Sequence, residues 1–419
     1  MLQGDLIQSL LKSPYFHEEE EVRQVRLSER ALKLAPSATL EVVAKAKELK
    51  REGKPVISFG AGEPDFSSPP AAIRAAKEAL DRGETHYTPT SGIPELKEAI
   101  QAYYRNRFGL EYQPAEILVG AGAKPLLFEA LSCLLNPGDE VIVFAPAWVS
   151  YVEQISLCDG KPVIVDTAGN AFLPTLEMLE KAITPQTVGI LLNTPNNPTG
   201  AVYRKELLEG IAGIAQAKGL WLIFDEIYER LVYGEAVHRN ILTVSPSLRD
   251  STLIVNGVSK AFAMTGWRIG YALGPKSLIE KMGGVQGHLT SNPTSISQWA
   301  SVGALREAEP EVEVMRKAFE ERRRIILQAL SLMPHISVTE PDGAFYVFVD
   351  ARKCLGKSYR GKPICDDISL CKALLEGEFV AAVPGSAFLA PGYLRFSYSN
   401  SVEEIEEGMK RFRRFLTEL

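Results

Sequence analysis

Thr252-Leu-Ile-Val-Asn256-Gly-Val-Ser-Lys260-Ala-Phe-Ala-Met-Thr-Gly-Trp-Arg268-Ile-Gly270 joins a strand-like apolar run to a segment where one lysine and one arginine stand among small and apolar residues. A lysine that only solvates a surface has no need of such company. Burial disfavours the ammonium form, so an amine held here is neutral enough near neutral pH to attack a carbonyl. The competing reading of this segment taken alone is a lysine at a strand end whose stem lies on apolar surface and whose head reaches water.

Working outward, the chain alternates helix-length and strand-length segments from Pro69 onward. Ile73–Leu80 reads as a helix, Glu116–Gly120 as a strand and Pro125–Leu135 as a helix. Glu140–Phe144, Pro162–Val165, Val188–Asn193 and Leu220–Phe224 read as buried strands with helices between them. This rhythm predicts an α/β protein whose large domain has a mostly parallel sheet covered by helices. Beyond Arg306 it changes. A long helical pattern over Pro310–Leu332 precedes strands at Ala344–Val349, Val380–Val383 and Tyr393–Tyr398 and a final amphipathic helix over Val402–Leu416. Near the other end, Thr39–Arg51 reads as a helix with Leu40, Val43, Ala44 and Lys47 on one face, before the short strand Val56–Phe59. The expected division is an extension over residues 1–26, a large domain over 67–305, and a smaller α+β domain built from 27–66 and 306–419.

Three further stretches end apolar strands in polar residues, where parallel-sheet proteins make their ligand contacts. Glu116-Ile-Leu-Val-Gly-Ala-Gly-Ala-Lys124 runs through glycines into a helix, so backbone N–H groups would face an anion such as phosphate. A packing turn explains those glycines equally well, and neither the dinucleotide fingerprint nor the P-loop spacing is met. Leu191-Leu-Asn-Thr-Pro-Asn-Asn197-Pro-Thr-Gly200 is a strand end or simply a rigid loop. Leu220-Trp-Leu-Ile-Phe-Asp225-Glu-Ile-Tyr228 sets an acid at a strand end, as a helix cap or as a ligand contact. Arg395, inside the strand pattern of Gly392-Tyr-Leu-Arg-Phe-Ser-Tyr398, is either exposed or a planar fork for a carboxylate.

These motifs, in this order, resemble the class I pyridoxal 5′-phosphate (PLP)-dependent aminotransferases of fold type I, with most in common with their prokaryotic aspartate aminotransferase branch. The resemblance runs from about Leu27 to the C-terminus, and Lys260 and Arg268 keep the family's spacing of a cofactor lysine and a phosphate-gripping arginine. It implies a seven-stranded sheet and a cofactor site made of Gly122, Ala123, Lys124, Trp148, Asn197, Asp225, Tyr228, Ser259, Lys260 and Arg268. Tyr87, in His86-Tyr-Thr-Pro-Thr-Ser-Gly92, matches a tyrosine that reaches the phosphate of a neighbouring subunit, so a homodimer with shared active sites is implied.

For the reaction, the resemblance implies catalysis by Lys260, Asp225 and Tyr228. Substrate contacts fall to Gly62, Lys124, Trp148, Asn197 and Arg395. Lys124 and the stretch Pro36-Ser-Ala-Thr39 match the aspartate branch, which favours dicarboxylic amino acids and 2-oxo acids exchanged in two half-reactions. Pro125 after Lys124, and Ala147 where relatives often carry tyrosine, leave aromatic, alanine or prephenate-type substrates open, and a C–S lyase on the same scaffold is the rival reading.

Composition agrees with a soluble enzyme. The 419 residues are 46% hydrophobic, enough for two cores, and a net charge of −6 without a basic stripe argues against nucleic acid. No apolar run approaches the roughly twenty residues that span a bilayer, and Asp5 with Glu18–Glu21 argues against a signal peptide. Five cysteines without paired spacing fit a reducing, cytoplasmic setting, and no histidine stands near Cys365 and Cys371 to suggest a metal.

Overall fold

The protein is described by a computed structural model in which residues 25–32 and 38–419 are placed. The chain divides into two compact units, residues 1–35 and 36–419. Of the first, the described part is a short helix, Glu29–Leu32, and its approach. The expected extension over residues 1–26 lies almost wholly outside the described residues. So does Pro36-Ser-Ala-Thr39, apart from the backbone of Ala38 and Thr39, which opens the helix Ala38–Arg51.

In the second unit, β1 (Ile57–Ser58) follows that helix. A seven-stranded sheet is then built from β2 (Ile117–Gly120), β3 (Glu140–Ala145), β4 (Lys161–Asp166), β5 (Thr187–Asn193), β6 (Trp221–Asp225), β7 (Thr252–Gly257) and β8 (Gly270–Leu273). Its spatial order is β2-β8-β7-β6-β5-β3-β4, with β8 antiparallel to both neighbours and the remaining pairs parallel. The α/β class with a mostly parallel seven-stranded sheet is therefore as expected. The central strands are apolar throughout because helices cover both faces. Ile190, Leu192, Leu222, Phe224 and Ile254 pack one face, while Leu191, Ile223, Leu253 and Val255 pack the other. Each such side chain contributes about 1.5–3 kcal/mol by leaving water.

A second sheet, of four strands, contains β9 (Ser337–Val338) and β10 (Tyr346–Asp350). After the small hairpin β11 (Ser358–Tyr359) and β12 (Lys362–Pro363), and β13 (Val380–Ala381), the same sheet is completed by β14 (Val383–Pro384) and β15 (Tyr393–Ser397). The long helix Glu309–Ser331 and the last helix Val402–Thr417 lay Met315, Phe319 and Ile326, and Ile405, Met409 and Phe412, into the core beside it.

Several expectations need correcting. The expected strand Val380–Val383 is two strands, since β13 pairs with β1 and β14 with β15. The expected buried strand at Pro162–Val165 is the sheet's edge, and only Val165 of β4 is buried. In the Ala38–Arg51 helix, Ala44 and Lys47 of the expected face are exposed and the side chains of Leu40 and Val43 lie outside the described residues; the described side chains that turn inward are Val42, Ala46 and Leu49, at i, i+4 and i+7. The helix expected from Pro125 begins at Ala123, which puts the proline in the first turn, where its missing N–H costs nothing. The helix Pro94–Phe108 and strand β8 had no counterpart in the sequence reading.

Candidate active site

Four loops leave the carboxyl ends of β2, β5, β6 and β7 side by side, and they carry most of the residues singled out above. After β2 the chain turns at Gly122, whose φ of 105° is favourable only without a side chain, and the helix Ala123–Leu134 starts there. A Cβ on Gly122 would sit 2.5 Å from Nη2 of Arg268. Gly270 opens β8 directly beneath this turn, and a Cβ there would collide with the backbone of Gly122 and Ala123. Arg268 is exposed and donates from Nη1 to the Thr265 carbonyl at 2.9 Å and from Nη2 to the Ala121 carbonyl at 3.4 Å. A guanidinium and a helix N-terminus thus share one corner, an arrangement that attracts a doubly charged anion.

Asp225, the last residue of β6, is only 3% exposed. Its Oδ2 accepts from Tyr151 Oη at 2.6 Å and its Oδ1 from the Ile227 N–H at 3.1 Å. Burial raises its pKa to about 6, although both hydrogen bonds pull the other way. Beyond β7, Ser259 is buried and Lys260 turns its amine inward, donating to the Gly62 carbonyl at 2.5 Å. Lys260 keeps some surface, but the protein packed round its ammonium lowers the pKa to about 8. The negative charges of Glu63 and Asp225 oppose that shift, while Arg395 and Arg268 add to it. Lys260 and Asp225 thus feel each other's charge, and neither sits in bulk water.

The loop after β5 brings Asn197 to Arg395, the third residue of β15. Nη1 of Arg395 donates to Asn197 Oδ1 at 3.0 Å and Nη2 to the Gly60 carbonyl at 3.1 Å. The guanidinium lies over Tyr346 at 4.4 Å and over Phe388 at 4.8 Å, and the residue is 2% exposed. Among the described residues no carboxylate pairs with it, and its buried Nε has no partner, so burial lowers its pKa. Tyr228 is buried with its hydroxyl 3.0 Å from that of Tyr346. Trp148 stands edge-to-face against Tyr151, with centroids 5.3 Å apart. Lys124 places its ammonium 4.7 Å from the indole centroid, and burial followed by the charge of Arg268 lowers its pKa.

Gly62, Gly122, Ala123, Lys124, Trp148, Asn197, Asp225, Tyr228, Ser259, Lys260, Arg268 and Arg395 are thus carried by neighbouring strand ends and by loops joined through the contacts described. Tyr87 stands apart, 91% exposed on its own loop. Sequence reasoning missed Tyr151, Tyr346, Phe388 and Glu63. Tyr151 lies three residues beyond Trp148, in Pro146-Ala-Trp-Val-Ser-Tyr151, so its nearness to a residue already singled out is the one local signal for it. Nothing in the local pattern separates Tyr346 or Phe388 from other core aromatics.

Residues 54–412 match the family described as aminotransferase class I and II. An aspartate aminotransferase of Geobacillus stearothermophilus is 46% identical over 393 residues, covering 94% of this chain and 99% of its own. A probable aspartate/prephenate aminotransferase of Rhizobium leguminosarum is 45% identical over 393 residues, covering 93% and 98%. The solved structure of aspartate aminotransferase from Thermus thermophilus with maleate superposes with a TM-score of 0.88 at 43% identity, covering 93% of this chain and all of that one. With the fold, the strand-end loops and these likenesses in agreement, the chain belongs to the class I and II aminotransferase family.

Proposed function

We propose that the protein is a PLP-dependent aspartate aminotransferase, exchanging an amino group between aspartate or glutamate and 2-oxo acids in two half-reactions. The observation that carries the reading is that the Lys260 amine, held on the Gly62 carbonyl and lowered in pKa by burial, feels the charges of buried Asp225 and of Arg395 and Arg268, two arginines that lack carboxylate partners among the described residues. The residues at these strand ends fit the cofactor. Gly122 leaves room where a side chain would displace Arg268, backbone N–H groups open the helix at Ala123, Trp148 offers a flat face, and Asp225 supplies a buried anion. Gly122, Ala123, Lys124, Ser259 and Arg268 would hold its phosphate, Asn197 and Tyr228 its ring oxygen, Asp225 its ring nitrogen and Lys260 its carbonyl carbon. Once bound, PLP supplies the carbonyl for the incoming amine and an electron-withdrawing ring that makes loss of the Cα proton feasible.

The chain's own groups do the rest. Lys260 Nζ, partly neutral at physiological pH, takes the Cα proton of the amino acid and would deliver it to the carbon that was the cofactor's carbonyl. Asp225 stays ionised above its pKa of about 6 and keeps the opposing nitrogen protonated. Arg395, already oriented by Asn197, Gly60 and two aromatic faces, takes the substrate's α-carboxylate beside Gly62, and Lys124 takes the distal one. The Thermus enzyme solved with maleate, a dicarboxylate, is in keeping with that pair of cations. We also read residues 27–66 with 306–419 as the smaller domain and 67–305 as the larger. The exposed Tyr87 would complete a partner subunit's phosphate site in a cytoplasmic homodimer, so a monomer should be inactive.

Ala147 in place of a bulkier residue, together with the prephenate activity named for the Rhizobium relative, favours one second reading, a wider acceptor range. A half-reaction panel decides. The purified PLP form is mixed with aspartate, glutamate, alanine, phenylalanine and the amino acid derived from prephenate, and conversion to the pyridoxamine form is followed by absorbance. Fastest conversion with aspartate and glutamate is expected. A preference for uncharged amino acids would overturn the role of Lys124.

A further inference from the structure

We infer that Tyr151 is a positioning residue for Asp225, its hydroxyl keeping one carboxylate oxygen ionised and aimed while its ring squares the indole of Trp148. The inference rests on the proposed pairing of Asp225 with the cofactor's ring nitrogen.

Three observations carry it. First, the two oxygens of Asp225 are tied separately, Oδ1 by the Ile227 N–H and Oδ2 by Tyr151, so the carboxylate cannot rotate without breaking a buried bond. Second, Tyr151 belongs to the same turn as Trp148. Its N–H donates to the Trp148 carbonyl at 3.1 Å, and the two rings meet at 90°. A segment of four residues therefore sets both the site's flat face and the state of its acid. Third, Tyr151 is itself buried, and burial together with the charge of Asp225 drives its pKa well above the ordinary tyrosine value, so its hydroxyl is a permanent donor. The other groups acting on Asp225 do not substitute for it. Glu226 opposes ionisation from the next position in the chain, Lys260 acts by charge from the loop after β7, and Tyr228 directs its hydroxyl to Tyr346. Asn193 binds only the Asp225 main-chain carbonyl.

The test follows binding of PLP to the full-length apoenzyme by quenching of tryptophan fluorescence, as a function of pH. For the parent, affinity should fall as pH drops through about 6, where Asp225 takes up a proton. Losing a hydrogen bond to a charged group raises the carboxylate's proton affinity by about ten- to a hundredfold, so in Tyr151→Phe the fall should begin about one to two pH units higher. Tyr203→Phe, which alters a buried tyrosine whose hydroxyl is not bonded to Asp225, should leave the break in place. Site-specific 3-fluorotyrosine at position 151 has a more acidic hydroxyl and should move the break downward, which keeps the question decidable if Tyr151→Phe does not fold. A uniform loss of affinity in Tyr151→Phe with the break unmoved, or a break indifferent to fluorination, overturns the inference. If Asp225→Asn reproduces the parent profile, the pairing of Asp225 with the ring nitrogen fails. If Asp225→Asn abolishes the break while Tyr151→Phe keeps it, only the role of Tyr151 fails.

Discussion

The lowered pKa of Lys260 yields a prediction whose size follows from the structure. A lysine in water titrates at 10.5, whereas protein packed round this ammonium, reinforced by Arg395 and Arg268, brings it to about 8 despite Glu63 and Asp225. At pH 7.5 a group titrating at about 8 is about one quarter neutral, and one at 10.5 is neutral about one part in a thousand, a gain of roughly 240-fold in available nucleophile. The perturbation is pH, applied to the full-length apoenzyme mixed rapidly with PLP, and the observable is the rate at which the lysine-bound absorption band appears. The rate should rise through a midpoint near 8 and level off well before pH 10. Lys260→Ala should show no such band at any pH and almost no turnover. Removing Arg395, as in Arg395→Gln, takes away one of the charges that lower the pKa, so the midpoint should move up. A parent midpoint near that of a free lysine would refute the desolvation argument, and near-normal turnover in Lys260→Ala would refute the assignment of the residue.

Two further outcomes are expected. Glu129 is fully buried in the helix Ala123–Leu134, neither carboxylate oxygen has a partner among the described residues, and burial raises its pKa to about 8. A raised folded-state pKa means that stability is greatest below the unfolded value of 4.5, falls as pH climbs through the interval to about 8, and stays low above it. Glu129→Gln should therefore stabilise the chain by roughly 3 kcal/mol at pH 7, with the gain shrinking toward zero near pH 4.5, as read by urea unfolding at several pH values. A pH-independent difference would mean that the carboxyl is not buried in neutral form. Arg395→Lys keeps the charge but loses the planar fork held by Asn197, Gly60 and the faces of Tyr346 and Phe388. KM for aspartate should rise about ten- to a hundredfold, as expected for a lost charge-assisted hydrogen bond. An unchanged KM would remove Arg395 from substrate binding.

Much of this site could be read from local pattern, and the reason is geometric. A buried parallel strand must be apolar along its length, so a polar residue at its carboxyl end stands out, and Asn197, Asp225 and Lys260 all follow such runs. The glycine turn before Ala123 was visible for the same reason, since only a chain that must turn sharply beside another backbone spends residues in that way. Strand β8 was not visible. Its four residues Gly270–Leu273 are too few to show a period, and their antiparallel direction is set by pairing with β2 on one side and β7 on the other. Ala44 and Lys47 of the Ala38–Arg51 helix were expected to face inward because several faces offer apolar residues, and only the neighbours Val56, Leu375 and Ala381 show that Val42, Ala46 and Leu49 do so.

The amino-acid order by itself determined the α/β alternation, the strand ends that carry polar groups, and the spacing between Lys260 and Arg268. Each of these depends on neighbours along the chain. The tertiary structure alone decided that the Lys260 amine meets the carbonyl of Gly62, that the Tyr151 hydroxyl donates to Asp225, and that Arg395 is buried with no carboxylate partner among the described residues. Desolvation and charge coupling are set by what surrounds a group in space, and here the surroundings come from segments as far apart along the chain as Gly60 and Arg395, 335 residues.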